Sequence, residues 1–239
     1  MKLFSAAQTD IGRVRRENED RLLCDDALRA YGVADGVGGL PGGAEAAESA
    51  MKHLRAEIAL TPPEVAEEMI PIFLAVNDAV AELGGEISPS GIATTLTVGI
   101  FTPDDRLLLG HVGDSRCYRL RRGRFEQLTE DHSVENEAKH RRARGEKFDF
   151  SERYRHALTR CIGQPEELEV DANEHALQGG DVYLFATDGV TRMLDDAELA
   201  EVLRKPLSLM DRLAQIVDRA NRAGGADNIT AVLVSVEAS

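Results

Sequence analysis

Cysteine is scarce in this chain, with Cys24, Cys117 and Cys161 the only three in 239 residues. They are odd in number, widely spaced and form no CxxC pair, which argues against a disulfide scaffold or a zinc site and fits a reducing compartment. Positive charge is short as well. Lys plus Arg is 28 against 42 for Asp plus Glu, a net charge of −14, so the overall field repels nucleic acid and anionic membrane surfaces. A site for a phosphate would therefore need local cations. No run approaches 18 apolar residues, and Met1-Lys2-Leu3-Phe4-Ser5 lacks the apolar core of a signal peptide, so a soluble, cytoplasmic protein is expected. Linkers rich in Pro, Gly or Ser are missing, as are internal repeats, and the expectation is one domain over 1–239.

What is present is a repeated pattern of acids at the ends of apolar runs. Tyr31-Gly32-Val33-Ala34-Asp35-Gly36-Val37-Gly38-Gly39-Leu40 reads as a buried strand that stops at one carboxylate followed by glycines. Val182 to Ala186, then Thr187-Asp188-Gly189, repeats it, and Gly224-Gly225-Ala226-Asp227-Asn228 places an acid just before the apolar stretch 229–236. Asp-Gly is also a common turn dipeptide, so each acid alone is ambiguous. If the strands are neighbours, Asp35, Asp188 and Asp227 converge and need protons or cations, and an all-oxygen site suits Mg²⁺, Mn²⁺ or Ca²⁺.

In chain order, 3–8 and 21–24 read as short strands around a loop, 9–20, crowded with both signs of charge. That loop is either solvated surface or a place where arginines meet a phosphate. Helical spacing covers 42–59 and 63–83, with Pro71 expected to bend or interrupt the second helix. Strands follow at 93–101, 106–112, 116–120 and 125–128, joined by short turns that imply antiparallel hairpins. Asp114 sits on the tight Gly113-Asp114-Ser115 corner. Residues 131–160 are polar and irregular, with a basic run, Lys139 to Arg144, that is either a solvated face or a flap helping an anionic substrate approach. A strand at 182–187, helices near 195–205 and 208–223, and a closing strand complete an α+β layered pattern.

Together these motifs resemble the metal-dependent protein phosphatases of the protein phosphatase 2C (PPM) type, in particular the compact bacterial serine/threonine phosphatases. The likeness runs nearly end to end. It rests on Thr9-Asp10-Ile11-Gly12, Val14-Arg15, Asn18-Glu19-Asp20, Ala34-Asp35-Gly36-Val37-Gly38-Gly39, Thr94-Thr95-Leu96, Gly113-Asp114-Ser115-Arg116, Leu128 to Ser133, Leu158 to Gly163, Thr187-Asp188-Gly189 and Ala226-Asp227-Asn228-Ile229-Thr230.

The resemblance implies an αββα sandwich of two antiparallel β-sheets flanked by helical layers. It implies that Asp35 bridges two Mn²⁺ or Mg²⁺ ions, with Asp188 and Asp227 completing the first site and the Gly36 carbonyl serving the second. Glu19 would act through metal-bound water with Asp20 supporting it, Arg15 would clamp the phosphate, and Asp114 would serve a possible third ion. The implied reaction is hydrolysis of phosphoserine and phosphothreonine in proteins by direct attack of a metal-bridging hydroxide. The implied partners are phosphorylated proteins and a cognate Ser/Thr kinase, with no nucleic acid or membrane, for a protein expected to be a monomer. No cysteine lies in the phosphate-cradling loop that a thiol nucleophile would require. Where some relatives carry a histidine after the Asp-Gly pair this chain has Val37, which cannot donate a proton, and His132 reads as structural. Alternatives are a phosphatase dedicated to one regulator of a partner-switching or secretion-control system, and a pseudophosphatase binding module.

Overall fold

In the computed structural model, which describes residues 1–38, 42–164 and 167–238, two five-stranded antiparallel sheets lie between helical layers. Gly39 and Leu40 of the first acidic motif fall outside the described residues. The first sheet runs in the order β1 (Lys2–Asp10), β10 (Ile229–Glu237), β9 (Val182–Ala186), β6 (Arg116–Arg121) and β7 (Arg124–Gln127). The second runs β2 (Asp20–Asp25), β3 (Ala30–Asp35), β4 (Leu96–Phe101), β5 (Arg106–Val112) and β8 (Asp171–Ala176).

The central strands are apolar on both faces because both faces are covered. Tyr31, Val33, Leu107, Leu109, Val232 and Val234 point between the sheets, where Tyr31, Phe101 and Tyr183 meet edge to face at 5.5 and 5.3 Å. Their neighbours of opposite parity point outward. Ala34, Val98 and Leu108 pack under α1 (Gly43–Leu60) and α2 (Met69–Ile87). Leu184, Ala231 and Leu233 pack under α5 (Asp196–Leu203) and α6 (Leu209–Arg222). The period of two thus feeds two different cores, and each buried Leu, Val or Ile contributes about 1.5–3 kcal/mol.

Three local expectations change. Residues 66–68 form a single 3-10 turn and α2 starts only at Met69, which puts Pro71 in the first helical turn. The N–H that proline lacks has no partner there in any helix, so the helix is not interrupted and runs on to Ile87. Strand β8 was not expected, because Asp-Ala-Asn-Glu-His-Ala has no apolar run; as an edge strand it buries little. Residues 131–160 are not wholly irregular. Ser133 caps α3 (Val134–Ala143) by accepting from the Asn136 N–H at 3.4 Å.

Candidate metal centre

Four strand ends and one corner bring the acids together. Asp35 is the last residue of β3 and faces Asp20, the first of β2, in the antiparallel register. β9 stops at Ala186, Thr187 caps the short turn α4 (Asp188–Thr191), and Asp188 opens it. Asp227 lies two residues before β10, which pairs with β9, so Asp188 and Asp227 share one end of the first sheet. Asp114 occupies the corner between β5 and β6 at that same end.

The glycines beside the acids are there for close approach rather than turn conformation. Neither Gly36 nor Gly189 has a positive φ. A Cβ on Gly189 would lie 1.9 Å from the Asn228 carbonyl oxygen, and one on Gly36 would lie 2.4 Å from that of Gly43. The Asp-Gly pairs therefore fit backbone packed against backbone, which the turn reading did not supply. Gly113 is different: its φ of 117° makes the Asp114 corner, and its N–H donates to His132 Nδ1 at 3.1 Å. His132 is buried beneath that corner, as a structural residue would be.

Burial and mutual repulsion hold these carboxyls in their protonated form above the usual range. Asp35 is raised well above it, first by burial and then by the charges of Asp20, Asp188, Asp114 and Asp227. Burial likewise pushes Asp20 to about 7, against the hydroxyls of Thr230 and Thr187, and Asp114 to about 7, with Asp188 adding to the rise. Asp188 is raised by burial against the opposing pull of Arg192, and Glu19 by burial against that of Arg15. Thr187 Oγ1 donates to Asp20 Oδ2 at 2.8 Å, while Asp20 Oδ1 and Asp188 Oδ1 are buried with no hydrogen-bond partner. Buried carboxyl oxygens without a partner suit a hard divalent cation, which would take the place of the protons. Among the described residues no three ligating side chains converge tightly enough to hold an ion as they stand. Guanidinium groups stand against three of the acids instead: Arg15 reaches Asp227 Oδ2 at 2.7 Å, and Arg192 reaches Asp188 Oδ2 at 2.6 Å and Asp114 Oδ2 at 3.2 Å.

Asn228 ties the N-terminal loop to this centre. Its side-chain amide donates to the Ile11 and Glu17 carbonyls at 3.0 and 2.9 Å, and its Oδ1 accepts from the Glu19 N–H at 2.9 Å. That loop carries Arg15, whose guanidinium lies over Gly38: a Cβ there would come within 2.7 Å of it. Glu19 is 3.8 Å from the same guanidinium.

The cavity above the acids, about 290 Å³, is lined by Asp35, Asp114, Asp188 and Asp227 together with Arg15 and Arg192. Arg192 was missed in the sequence. It lies one helical turn beyond Asp188, and that i, i+4 spacing was the available signal. The flap reaches the cavity with Arg153 and His156. The basic run is largely spent on its own neighbours, Arg141 on Glu137 at 2.5 Å and Arg144 on Glu146 at 3.0 Å, with Lys139 alone at the edge of the acidic cleft. Of the two readings of the basic run, the solvated face fits Arg141 and Arg144, and the flap residues that line the cavity are Arg153 and His156. A larger groove of about 580 Å³ between α1 and α2 contains none of the converging aspartates.

Residues 7–229 match the family model for Protein phosphatase 2C. The chain is 32% identical over 235 residues to the protein phosphatase PhpP of Streptococcus pneumoniae, covering 95% of each chain. The serine/threonine phosphatase of S. agalactiae superposes with a TM-score of 0.85 at 32% identity, over 99% of this chain and 100% of that one. The catalytic domain of the serine threonine protein phosphatase PstP, solved with two manganese ions, superposes with a TM-score of 0.83 at 29% identity, over 99% of each chain.

Proposed function

Because the chain belongs to the protein phosphatase 2C family, and is thereby a metal-dependent serine/threonine protein phosphatase acting on phosphoproteins, we propose that Asp35, Asp188 and Asp227 hold its two catalytic cations. The observation that carries the assignment is the convergence of these acids from both sheets with Asp188 Oδ1 buried and unpartnered. Asp35 would serve both ions, Asp188 and Asp227 the first, and the Gly36 carbonyl the second. Mn²⁺ or Mg²⁺ suits these hard oxygen donors. When bound, the two ions supply Lewis acidity to the phosphoryl group and an acidified water as nucleophile.

The remaining work falls to side chains. Arg15, on a loop held by Asn228, can turn from Asp227 to two oxygens of a phosphate, which a planar guanidinium grips with two parallel bonds. Glu19 would act through bound water, with Asp20, buried opposite Asp35 across the hairpin, supporting it. Val37 offers no proton, so the leaving alkoxide is not protonated from position 37. Arg153 extends the cationic rim toward the protein part of the substrate, with His156, whose imidazole burial and Arg192 push toward the neutral form, beside it. The enzyme opposes a Ser/Thr kinase and works as a monomer, without nucleic-acid or membrane partners; no helix among the described residues is long and apolar enough to cross a membrane.

The test is phosphate release from a phosphothreonine peptide, in chelator and then in added Mn²⁺ or Mg²⁺, with Asp188→Asn as control. Release that needs the metal and disappears in the variant supports the assignment. Metal-dependent release undiminished in Asp188→Asn would remove Asp188 from the centre.

A further inference from the structure

Arg192 fills the place where a third cation would bridge two of the acids. Its Nη2 lies 2.6 Å from Asp188 Oδ2 and 3.2 Å from Asp114 Oδ2, so a single nitrogen meets one oxygen of each carboxylate. Both ends of this bridge are fixed. Asp114 stands on the Gly113 corner that His132 holds from beneath, and the Arg192 N–H donates to the Asp188 carbonyl at 2.8 Å, which sets the arginine one turn above the acid. Both aspartates are buried, and the guanidinium is the cation nearest to the pair, where it opposes the rise that burial imposes on each. A guanidinium does not lose its proton at any working pH, so this charge is permanent.

We infer that Arg192 is a built-in substitute for a third metal ion: Asp114 is a partner of Arg192 rather than a metal ligand, and the centre binds two divalent cations and no third. The inference rests on the two-metal reading above. Charge favours it. Two dications with Arg15 and Arg192 already match the charge of Glu19, Asp20, Asp35, Asp114, Asp188 and Asp227, and Arg153 lines the same cavity, so a third dication would have to enter a site with no net negative charge left. It would also have to displace a guanidinium from two buried carboxylates, each bond being charge-assisted.

The experiment is Mn²⁺ binding by the metal-free protein, read as stoichiometry by calorimetry and by the paramagnetic signal of unbound Mn²⁺. The wild type, Arg192→Met, and Arg192→Met combined with Asp114→Asn are compared. Methionine keeps most of the length and apolar stem of arginine while removing the charge. The expected result is two ions for the wild type up to about millimolar Mn²⁺, a third and weaker ion for Arg192→Met, and two again for the double variant. A third ion in the wild type that Asp114→Asn alone abolishes would overturn the inference, as would Arg192→Met binding two and no more. Arg192→Lys separates charge from fold: it should stay at two ions, and a third ion there would equally overturn the idea. Absence of any Mn²⁺ binding by the folded wild type would instead defeat the two-metal reading itself.

Discussion

Asp20 and Asp35 stand opposite each other across the antiparallel pairing of β2 and β3, two carboxyls at the open end of the hairpin. Like charges facing each other across a ladder are destabilising, and burial multiplies the cost. In the proposed two-metal centre, a cation beside Asp35 offsets that cost.

Replacing Asp35 by Asn should therefore separate stability from activity. Turnover in Mn²⁺ is expected to fall on the order of 10³-fold, since an amide is a poor anchor for the ions. In chelator the variant should melt no lower than the wild type, because an amide is buried neutral without the proton that the raised Asp35 carboxyl must hold. Thermal melts in chelator and in Mn²⁺ check this: the variant should lose the Mn²⁺-induced rise in Tm, and a rise equal to that of the wild type would refute the role.

The raised carboxyls set a pH dependence whose sign is fixed. Asp20 and Asp114 hold protons to about 7 in the folded, metal-free protein, whereas in the unfolded chain they ionise near 4. Stability from a raised pKa is present below the unfolded value and is lost as pH rises through the folded one. The metal-free protein should lose on the order of 1–2 kcal/mol between pH 6.5 and 8, a drop of a few degrees in Tm. His111, lowered to about 4 by burial and by His132, is neutral throughout that window and does not oppose the trend. Mn²⁺ affinity should rise over the same interval, because binding displaces protons. Calorimetry in buffers of different ionisation enthalpy counts them; affinity flat from pH 6.5 to 8 would contradict the shifts.

Arg15 and Gly38 should behave as one unit. Arg15→Ala is expected to lower kcat/KM on a phosphopeptide by about 10- to 100-fold, the usual loss for one charge-assisted phosphate clamp. Gly38→Ala should reproduce a fraction of that loss without touching a carboxylate, because its methyl would crowd the guanidinium at 2.7 Å. The double variant should be no worse than Arg15→Ala. Additive losses in the double-mutant cycle would show that Gly38 acts through something else.

For the flap, Arg153→Glu should reduce kcat/KM toward a phosphoprotein several-fold more than Arg141→Glu does. Arg153 lines the cavity, whereas Arg141 is paired with Glu137 and stacked 4.6 Å over the Phe148 ring. Equal effects of the two charge reversals in steady-state kinetics would return the basic run to the site.

The acids at 35, 188 and 227 were legible because each sits at the edge of an apolar run, and an ionised group there needs a reason. What lay beyond reach had physical causes. α4 is one turn long, too short to show a period, so nothing beyond its spacing of four from Asp188 marked Arg192. β8 exposes much of its length and carries polar residues, so no alternation marked it. Pro71 was judged by residue type when its position in the helix decides its effect. In the flap, composition revealed positive charge but not which arginines are already matched: Arg141 and Arg144 find glutamates within a few residues, and Arg153 is the one left facing the cavity.

The place of β10 has a consequence for how the enzyme comes into being. This strand lies between β1 and β9, yet it is the last of the two sheets to leave the ribosome, and Asp227 arrives just ahead of it. Until it inserts, the first sheet is split, Asn228 has not fastened the loop of Arg15 and Glu19, and the cleft lacks one of its acids. On the proposed metal centre, a chain still under synthesis therefore lacks the Asp227 ligand until β10 closes the sheet.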